Sequence, residues 1–174
     1  IQSKRRRQLV MAKPFVKWVG GKSQLIPEIT QRLPEYVKNG KPYIYVEPFS
    51  GSAAVALHLL DSGHPPSAII LNDINTDLVN LYKVVKSNPH ELLAYLKTLQ
   101  VEYDELEDKE AKQPYYYTKR EEFNTREADD IKHAGLFIFL NRAGFNGLYR
   151  VNSKNKFNVP IGSYKKPNFV FEDI

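Results

Sequence analysis

Apolar and polar positions follow two rhythms along this chain, and the change between them divides it. From Ser23 to Leu33 the pattern predicts a short helix, with Pro27 in or near its first turn and Pro34 beyond its end. Tyr43-Ile44-Tyr45-Val46 is aromatic and β-branched and predicts a strand. Pro48 and Gly51 interrupt the chain before Ala53-Ala54-Val55-Ala56-Leu57, a good helix start. Pro65-Pro66 end that unit. Ala68-Ile69-Ile70-Leu71 then forms a short, wholly apolar run, as expected of a buried parallel strand. After Asn72-Asp73, the residues Leu78, Leu81, Tyr82 and Val85 recur at helical spacing. Strand, helix, strand, helix with short connections is the beginning of a doubly wound α/β domain.

Beyond Lys86 only helical rhythm remains. Asn88-Pro89-His90-Glu91 offers an N-cap, a proline at the first helical position and an acidic third residue, and Leu92, Leu93, Leu96 and Leu99 follow. Further helices are predicted from Tyr115 to Thr125 and from Asp129 to Leu140. A Gly- and Asn-rich loop from Asn141 to Asn146 and a polar segment to Lys166 come next. The expected organisation is a basic leader over residues 1–11, a first part of one domain over 12–87, a helical recognition module over 88–170, and a return towards the first domain at 171–174. The leader differs in composition from the rest, and Met11 reads as the natural start.

Composition narrows the function. With no cysteine among the 174 residues, a disulfide scaffold and a thiolate metal site are excluded, and no metal is implied. The longest apolar run, Gly135 to Leu140, is far below the roughly 18 residues of a membrane helix, and no signal peptide is visible, so the expected location is cytoplasmic. The net charge is +5, but its distribution says more than its size. From Ile131 to Phe171 there is no carboxylate, while Lys132, Arg142, Arg150, Lys154, Lys156, Lys165 and Lys166 are all present. A one-signed stretch of this length suits contact with phosphates, and equally a solvated basic face.

Four motifs carry chemistry. Gly20-Gly21-Lys22-Ser23 imitates the end of a nucleotide-binding Walker loop, but Val16 stands where the first glycine should be and no strand precedes it, which weakens an ATPase reading. Two glycines before a helix still admit a ligand close to the backbone, with Lys22 placed to meet a carboxylate. Val46-Glu47-Pro48-Phe49-Ser50-Gly51-Ser52-Ala53 follows a strand and opens a helix. It is a turn suited to a cofactor, although not the dinucleotide fingerprint. Asp73 lies just past the second strand, where an ionised carboxylate can accept from both ribose hydroxyls; a helix N-cap is the plainer alternative. Last comes Asn141-Arg142-Ala143-Gly144-Phe145-Asn146-Gly147-Leu148-Tyr149-Arg150-Val151-Asn152, followed by Phe157-Asn158-Val159-Pro160. It mixes Arg and Asn, which read guanine and adenine edges, with groups that pack on bases or sugars. A loop whose Asn side chains cap their own backbone is the bland alternative.

These motifs, in this order, resemble the Dam-type (GATC-recognising) DNA adenine-N6 methyltransferases from about Phe15 to Phe169. Lys17-Trp18-Val19-Gly20-Gly21-Lys22 resembles the opening cofactor motif, Tyr45 to Gly51 the F-x-G motif, and Leu71-Asn72-Asp73-Ile74-Asn75 the ribose motif. Arg120-Glu121-Glu122-Phe123-Asn124 and Asn141 to Lys166 are similar to the target-recognition domain. The resemblance implies a Rossmann-like, S-adenosylmethionine-dependent methyltransferase fold, α/β in class, with a mainly helical recognition insertion. It implies cofactor contacts at Trp18, Lys22, Phe49, Gly51 and Asp73. It implies double-stranded DNA as partner, met by Phe145, Asn146, Leu148, Arg150 and Pro160, with Arg120, Arg142, Asn152, Asn158 and Lys165 at phosphates or in the scaffold.

Two positions depart from the family pattern. Ala53 stands where a second glycine is frequent, a small change in size, and Ser163 stands where some relatives carry a basic residue. The family's catalytic (D/N)-P-P-(Y/F) motif does not occur up to Ile174, and Pro65-Pro66, between His64 and Ser67, is not it. In that motif a carboxylate and a proline carbonyl accept from the adenine amine and an aromatic ring stacks on the flipped base. The expectation is therefore adenine methylation for the family and inactivity for this stretch alone. The alternative is a non-catalytic DNA-binding remnant. A cognate restriction endonuclease is the further partner such an enzyme can have.

Overall fold

The computed structural model describes residues 13–164 and 166–170. The leader over 1–11, Lys165 and the segment 171–174 lie outside the described residues.

After a 3-10 turn at Lys22–Leu25, two short helices follow, α1 (Ile26–Gln31) and α2 (Glu35–Lys38). The single helix expected from Ser23 to Leu33 is thus split between a 3-10 turn and α1, with Pro27 in the first turn of α1. Strand β1 (Ile44–Glu47) leads to α3 (Ala54–Leu60), and β2 (Ala68–Leu71) leads to α4 (Thr76–Ser87). β1 and β2 pair in parallel, Ile44 opposite Ala68 and Glu47 opposite Leu71. A strand-helix-strand crossover between neighbouring parallel strands is what the two apolar runs and their connection require.

β2 is not the buried strand that its apolar run predicts. Tyr45, Ile69 and Leu71 are half-buried and Glu47 is buried, whereas Ile44, Val46, Ala68 and Ile70 are exposed. An all-apolar parallel strand is buried only when both faces of the sheet are covered. Among the described residues the second face has no cover.

The core lies in the helices that follow. α4 is capped by Asn75, whose side chain accepts from Leu78 N at 3.0 Å, and it buries Leu78, Leu81 and Val84. α5 (Pro89–Asp104) buries Leu92, Leu96, Leu99 and Tyr103 along one face. Asn88 makes no side-chain cap, contrary to expectation; its backbone, at φ −136° and ψ 46°, lies outside the extended conformation that a capping residue takes, and both helices use its backbone groups. Its N–H closes α4 on Val84 O, and its carbonyl accepts from Leu92 N.

α6 (Lys109–Thr125) starts six residues before the predicted Tyr115, carried by the Asp108 side chain on Ala111 N at 2.8 Å. Pro114 lies inside it; a proline there withholds one helical N–H, and that hid the first turns from the sequence pattern. α7 (Asp130–Ala143) is capped by Asp129 and is buried on every side from His133 to Asn141. It runs three residues past the predicted end at Leu140, so Asn141, Arg142 and Ala143 are helical rather than loop.

One apolar cluster gathers Val16, Leu78, Leu81 and Val84 of α4, the inner faces of α5, α6 and α7, and Phe157, Val159 and Phe169. Tyr103, Phe139 and Phe169 pack edge to face within it. The helix that follows Asp73 is thus buried in the same core as the helices beyond residue 88. No described helix is long and apolar enough to cross a membrane.

Candidate functional site

The loops after the two parallel strands lie side by side, and backbone bonds lace them together. Asn72 N donates to Glu47 O and Ser50 N donates to Asn72 O, each at 2.9 Å. Asn72 Nδ2 donates to Pro48 O. The Asp73 carboxylate then accepts from Gly51 N at 2.9 Å through one oxygen and from Asn75 N at 3.0 Å through the other. Asp73 is therefore a clasp between the turns and not the N-cap of α4, a role that Asn75 fills. Each carboxylate oxygen has a second lone pair, so Asp73 keeps acceptor capacity for a ligand.

Gly51 has φ +48°, and a Cβ there would sit 2.9 Å from Trp18 Cδ1. Only glycine lets the indole lie against this turn. Ala53 has φ +53°, so the departure from glycine at that position concerns backbone conformation rather than size. Tyr82 of α4 donates to Gly51 O at 2.7 Å. Lys22 Nζ donates to Phe49 O at 3.4 Å and stands 3.9 Å from Glu47 Oε1. Burial pushes the Glu47 carboxyl above its ordinary range, and Lys22 partly opposes that. Trp18, Lys22, Phe49, Gly51 and Asp73, spread over 56 residues of sequence, are thus in one place. Phe49 is 79% exposed. A cleft of about 590 Å³ opens beside Trp18, Gly20, Gly21 and Ser52. The strand that a Walker loop requires before Gly20 is absent among the described residues.

Arg142 lines this same cleft, with its Nε donating to Phe15 O, and burial lowers the pKa of its guanidinium. It sits by the Trp18 segment, one turn away from the loop to which the sequence pattern joined it.

The Gly- and Asn-rich region forms an irregular antiparallel hairpin. Gly144 pairs with Ile161 and Val151 with Phe157, while Phe145 N donates to Pro160 O and Asn158 N to Arg150 O. Phe145, Asn146, Arg150, Asn152 and Pro160 are exposed, and Leu148 and Asn158 are half-buried. Asn158 takes one edge of the Arg150 guanidinium, with Nε on Oδ1 at 2.7 Å and one NH2 bond to its carbonyl. That edge is held, and the NH1–NH2 end of the fork points away from it. Asn152 Oδ1 accepts from Lys154 N and Lys156 N, closing the hairpin tip. Arg120 stays on α6, stacked on Tyr117 and paired with Glu121, and its buried Nε has no hydrogen-bond partner.

Several residues were given no joining role by the sequence reading. Asn141 is buried; its Oδ1 accepts from Lys17 N, and its Nδ2 donates to Lys17 O and Gly147 O. Lys17 in turn reaches the Tyr164 hydroxyl and ring. At Gly147, φ is +65° and a Cβ would meet Lys17 Cδ at 2.4 Å. Asp77 is buried on α4 and accepts from Arg126 NH1, from His133 Nε2 at 2.9 Å and from Tyr149 OH at 2.6 Å. Burial alone would raise its carboxyl pKa, but these donors hold it down at about 2. A signal existed: Asp77 precedes Leu78 on the buried face of an amphipathic helix, and Asn141 ends an all-apolar run.

A model of the D12 class N6 adenine-specific DNA methyltransferase family matches residues 18–174. Over 163 residues the chain is 43% identical to the type II methyltransferase M.MjaIII of Methanocaldococcus jannaschii, covering 92% of this chain and 55% of that protein. It is 36% identical over 165 residues to the type II methyltransferase M1.LlaDCHI of Lactococcus lactis subsp. cremoris, covering 93% and 52%. Against the DNA adenine methylase of Escherichia coli (strain K12) it is 41% identical over 155 residues, covering 89% and 49%. The chain spans about half the length of the curated relatives it matches.

Proposed function

The chain belongs to the D12 class of N6 adenine-specific DNA methyltransferases, and on that premise we propose that it carries the cofactor-binding start and the DNA-reading part of an enzyme that transfers the methyl group of S-adenosylmethionine to adenine N6 in double-stranded GATC. The observation that carries this reading is the meeting of three distant segments. Asp73 clasps Gly51, and Gly51 makes room for Trp18. In this reading β1, α3, β2 and α4 begin a Rossmann-like domain, and α5 to α7 with the hairpin form the recognition insertion.

The residues fit the cofactor. Gly51 N meets the half-buried Asp73 carboxylate at this turn, and Glu47 Oε2 and Ser50 Oγ are buried without hydrogen-bond partners. Asp73 would accept from the ribose hydroxyls, Trp18 and Phe49 would give apolar walls, and Lys22 would meet the carboxylate end. When bound, the cofactor supplies an electrophilic methyl group on a sulfonium centre. Arg150 would read guanine through the free end of its fork, fixed in direction by Asn158. Phe145, Asn146, Leu148 and Pro160 would line the duplex. Lys165 with Arg120, Arg142 and Asn152 would serve phosphates or the frame. A restriction endonuclease cutting the same sequence is the functional partner this reading implies, without a stable complex.

The test is transfer of labelled methyl groups by the full-length protein to a GATC duplex and to duplexes altered at one base of the site. Incorporation confined to GATC supports the proposal. Equal incorporation into every duplex overturns the specificity, and none into any overturns the activity.

A further inference from the structure

Tyr149 lies where the two halves of the candidate site touch. Its neighbours in sequence are Leu148 and Arg150, on the hairpin proposed to read DNA. Its ring lies 5.4 Å from that of Trp18, tilted by 31°, and 5.5 Å from Phe137 of α7. Its hydroxyl donates to Asp77, on the first turn of α4 and four residues after Asp73. The contacts close a ring: Asp73 holds Gly51, Gly51 abuts Trp18, Trp18 packs on Tyr149, and Tyr149 bonds to Asp77 on the helix that Asp73 precedes. Arg126, the left-handed C-cap of α6, binds the same carboxylate and also Asn155 O at the hairpin tip. His133 of α7 adds a third donor and stacks on Phe123 at 4.3 Å.

The hairpin is thus anchored through Tyr149 and Arg126 to one buried carboxylate on the helix that the ribose candidate precedes. From this geometry we infer that Tyr149, through Asp77 and Trp18, is a positioning residue that couples filling of the cofactor cleft to the aim of Arg150. The inference rests on the proposed function above. A ligand seated against Trp18 restricts the indole, and the indole is the only aromatic neighbour of Tyr149 outside α7 and the hairpin among the ring contacts described. Restricting it restricts the backbone on both sides of Tyr149. A ligand that favours one arrangement of a shared element must favour the second ligand reciprocally.

The experiment measures binding of a GATC duplex by the full-length protein with and without saturating S-adenosylhomocysteine, in the parent and in Tyr149→Phe. Phenylalanine keeps the ring against Trp18 and removes only the donor to Asp77. The parent is expected to bind DNA several-fold more tightly with the cofactor product present, within the range usual for coupled sites. Tyr149→Phe should bring that ratio towards one while still binding each ligand alone. A merely structural residue would weaken binding equally in both conditions and leave the ratio unchanged. Asp77→Asn serves as the second variant if Tyr149→Phe does not unfold cooperatively, and it should lower the same ratio. An unchanged ratio in the variants, or a parent ratio of one, overturns the coupling alone. Failure of the parent to bind either ligand overturns the functional reading as well.

Discussion

Replacing Asn141 is the sharpest test of how the two halves are joined. The side chain is 2% exposed and makes three hydrogen bonds, at 2.8 Å from Lys17 N, 2.9 Å to Lys17 O and 2.8 Å to Gly147 O. Asn141→Ala removes all three and leaves one N–H and two carbonyls to find water or nothing. At roughly 1 kcal/mol net for each bond, the loss is about 3 kcal/mol, and more if water does not enter. Asn141→Asp preserves shape and keeps an acceptor for Lys17 N, but it turns a carboxylate oxygen towards two carbonyls. A buried charge without its donors costs roughly 3–5 kcal/mol, so this near-isosteric change should be at least as harmful as the truncation. Its sign with pH follows: the introduced carboxyl would have a raised pKa in the folded state, so the damage is full at neutral pH and eases as the group protonates. The assay is denaturant unfolding of the full-length protein and both variants at pH 5 and pH 8. A cost below about 1 kcal/mol for Asn141→Ala, or an Asn141→Asp penalty equal at both pH values, would refute the account of three satisfied bonds in a dry site.

Four further outcomes are expected. Asp73→Ala should weaken S-adenosylmethionine binding by roughly 1.5–3 kcal/mol for each charged hydrogen bond lost, with DNA affinity nearly unchanged; unchanged cofactor affinity by calorimetry would leave Asp73 as a turn clasp only. Gly51→Ala, at φ +48° and 2.9 Å from Trp18, should cost at least about 1–2 kcal/mol of stability and shift the indole emission, and an unaltered spectrum with unaltered stability would contradict the packing. Arg150→Ala should remove about 1–3 kcal/mol of discrimination at the guanine, measured against duplexes altered there; an equal loss for all duplexes would make it a backbone contact. Asp77, held at about 2 against an ordinary 3.8, contributes stability present above about pH 4 and lost as pH falls towards about 2. Acid titration of the parent and Asp77→Asn should therefore converge over that window, and parallel curves would show that folding does not lower the Asp77 pKa.

Much of this molecule could be read before its structure was known, because its elements are locally encoded. Ala68–Leu71 was found to the residue, since a four-residue apolar run between prolines and Asn-Asp has no competing period. The helix through Leu78 and Leu81 was equally plain. The start of α6 was not, because Pro114 masks it, and the end of α7 was not, because Asn141 and Arg142 read as loop residues while their side chains are spent on distant backbone.

The sequence by itself therefore determined the order of strands and helices, the turn chemistry at Gly51, and the family through motifs that are contiguous in the chain. Those properties depend on neighbours within a few residues. Tertiary structure alone decided that Asp73 clasps Gly51, that Arg142 faces the cleft beside Trp18, and that Asp77, Arg126, His133 and Tyr149 share one buried charge. Partners separated by 22 to 127 positions leave no periodic trace. Their pairing is set by the need to satisfy every polar group that folding removes from water, and that need exists only once the helices have packed.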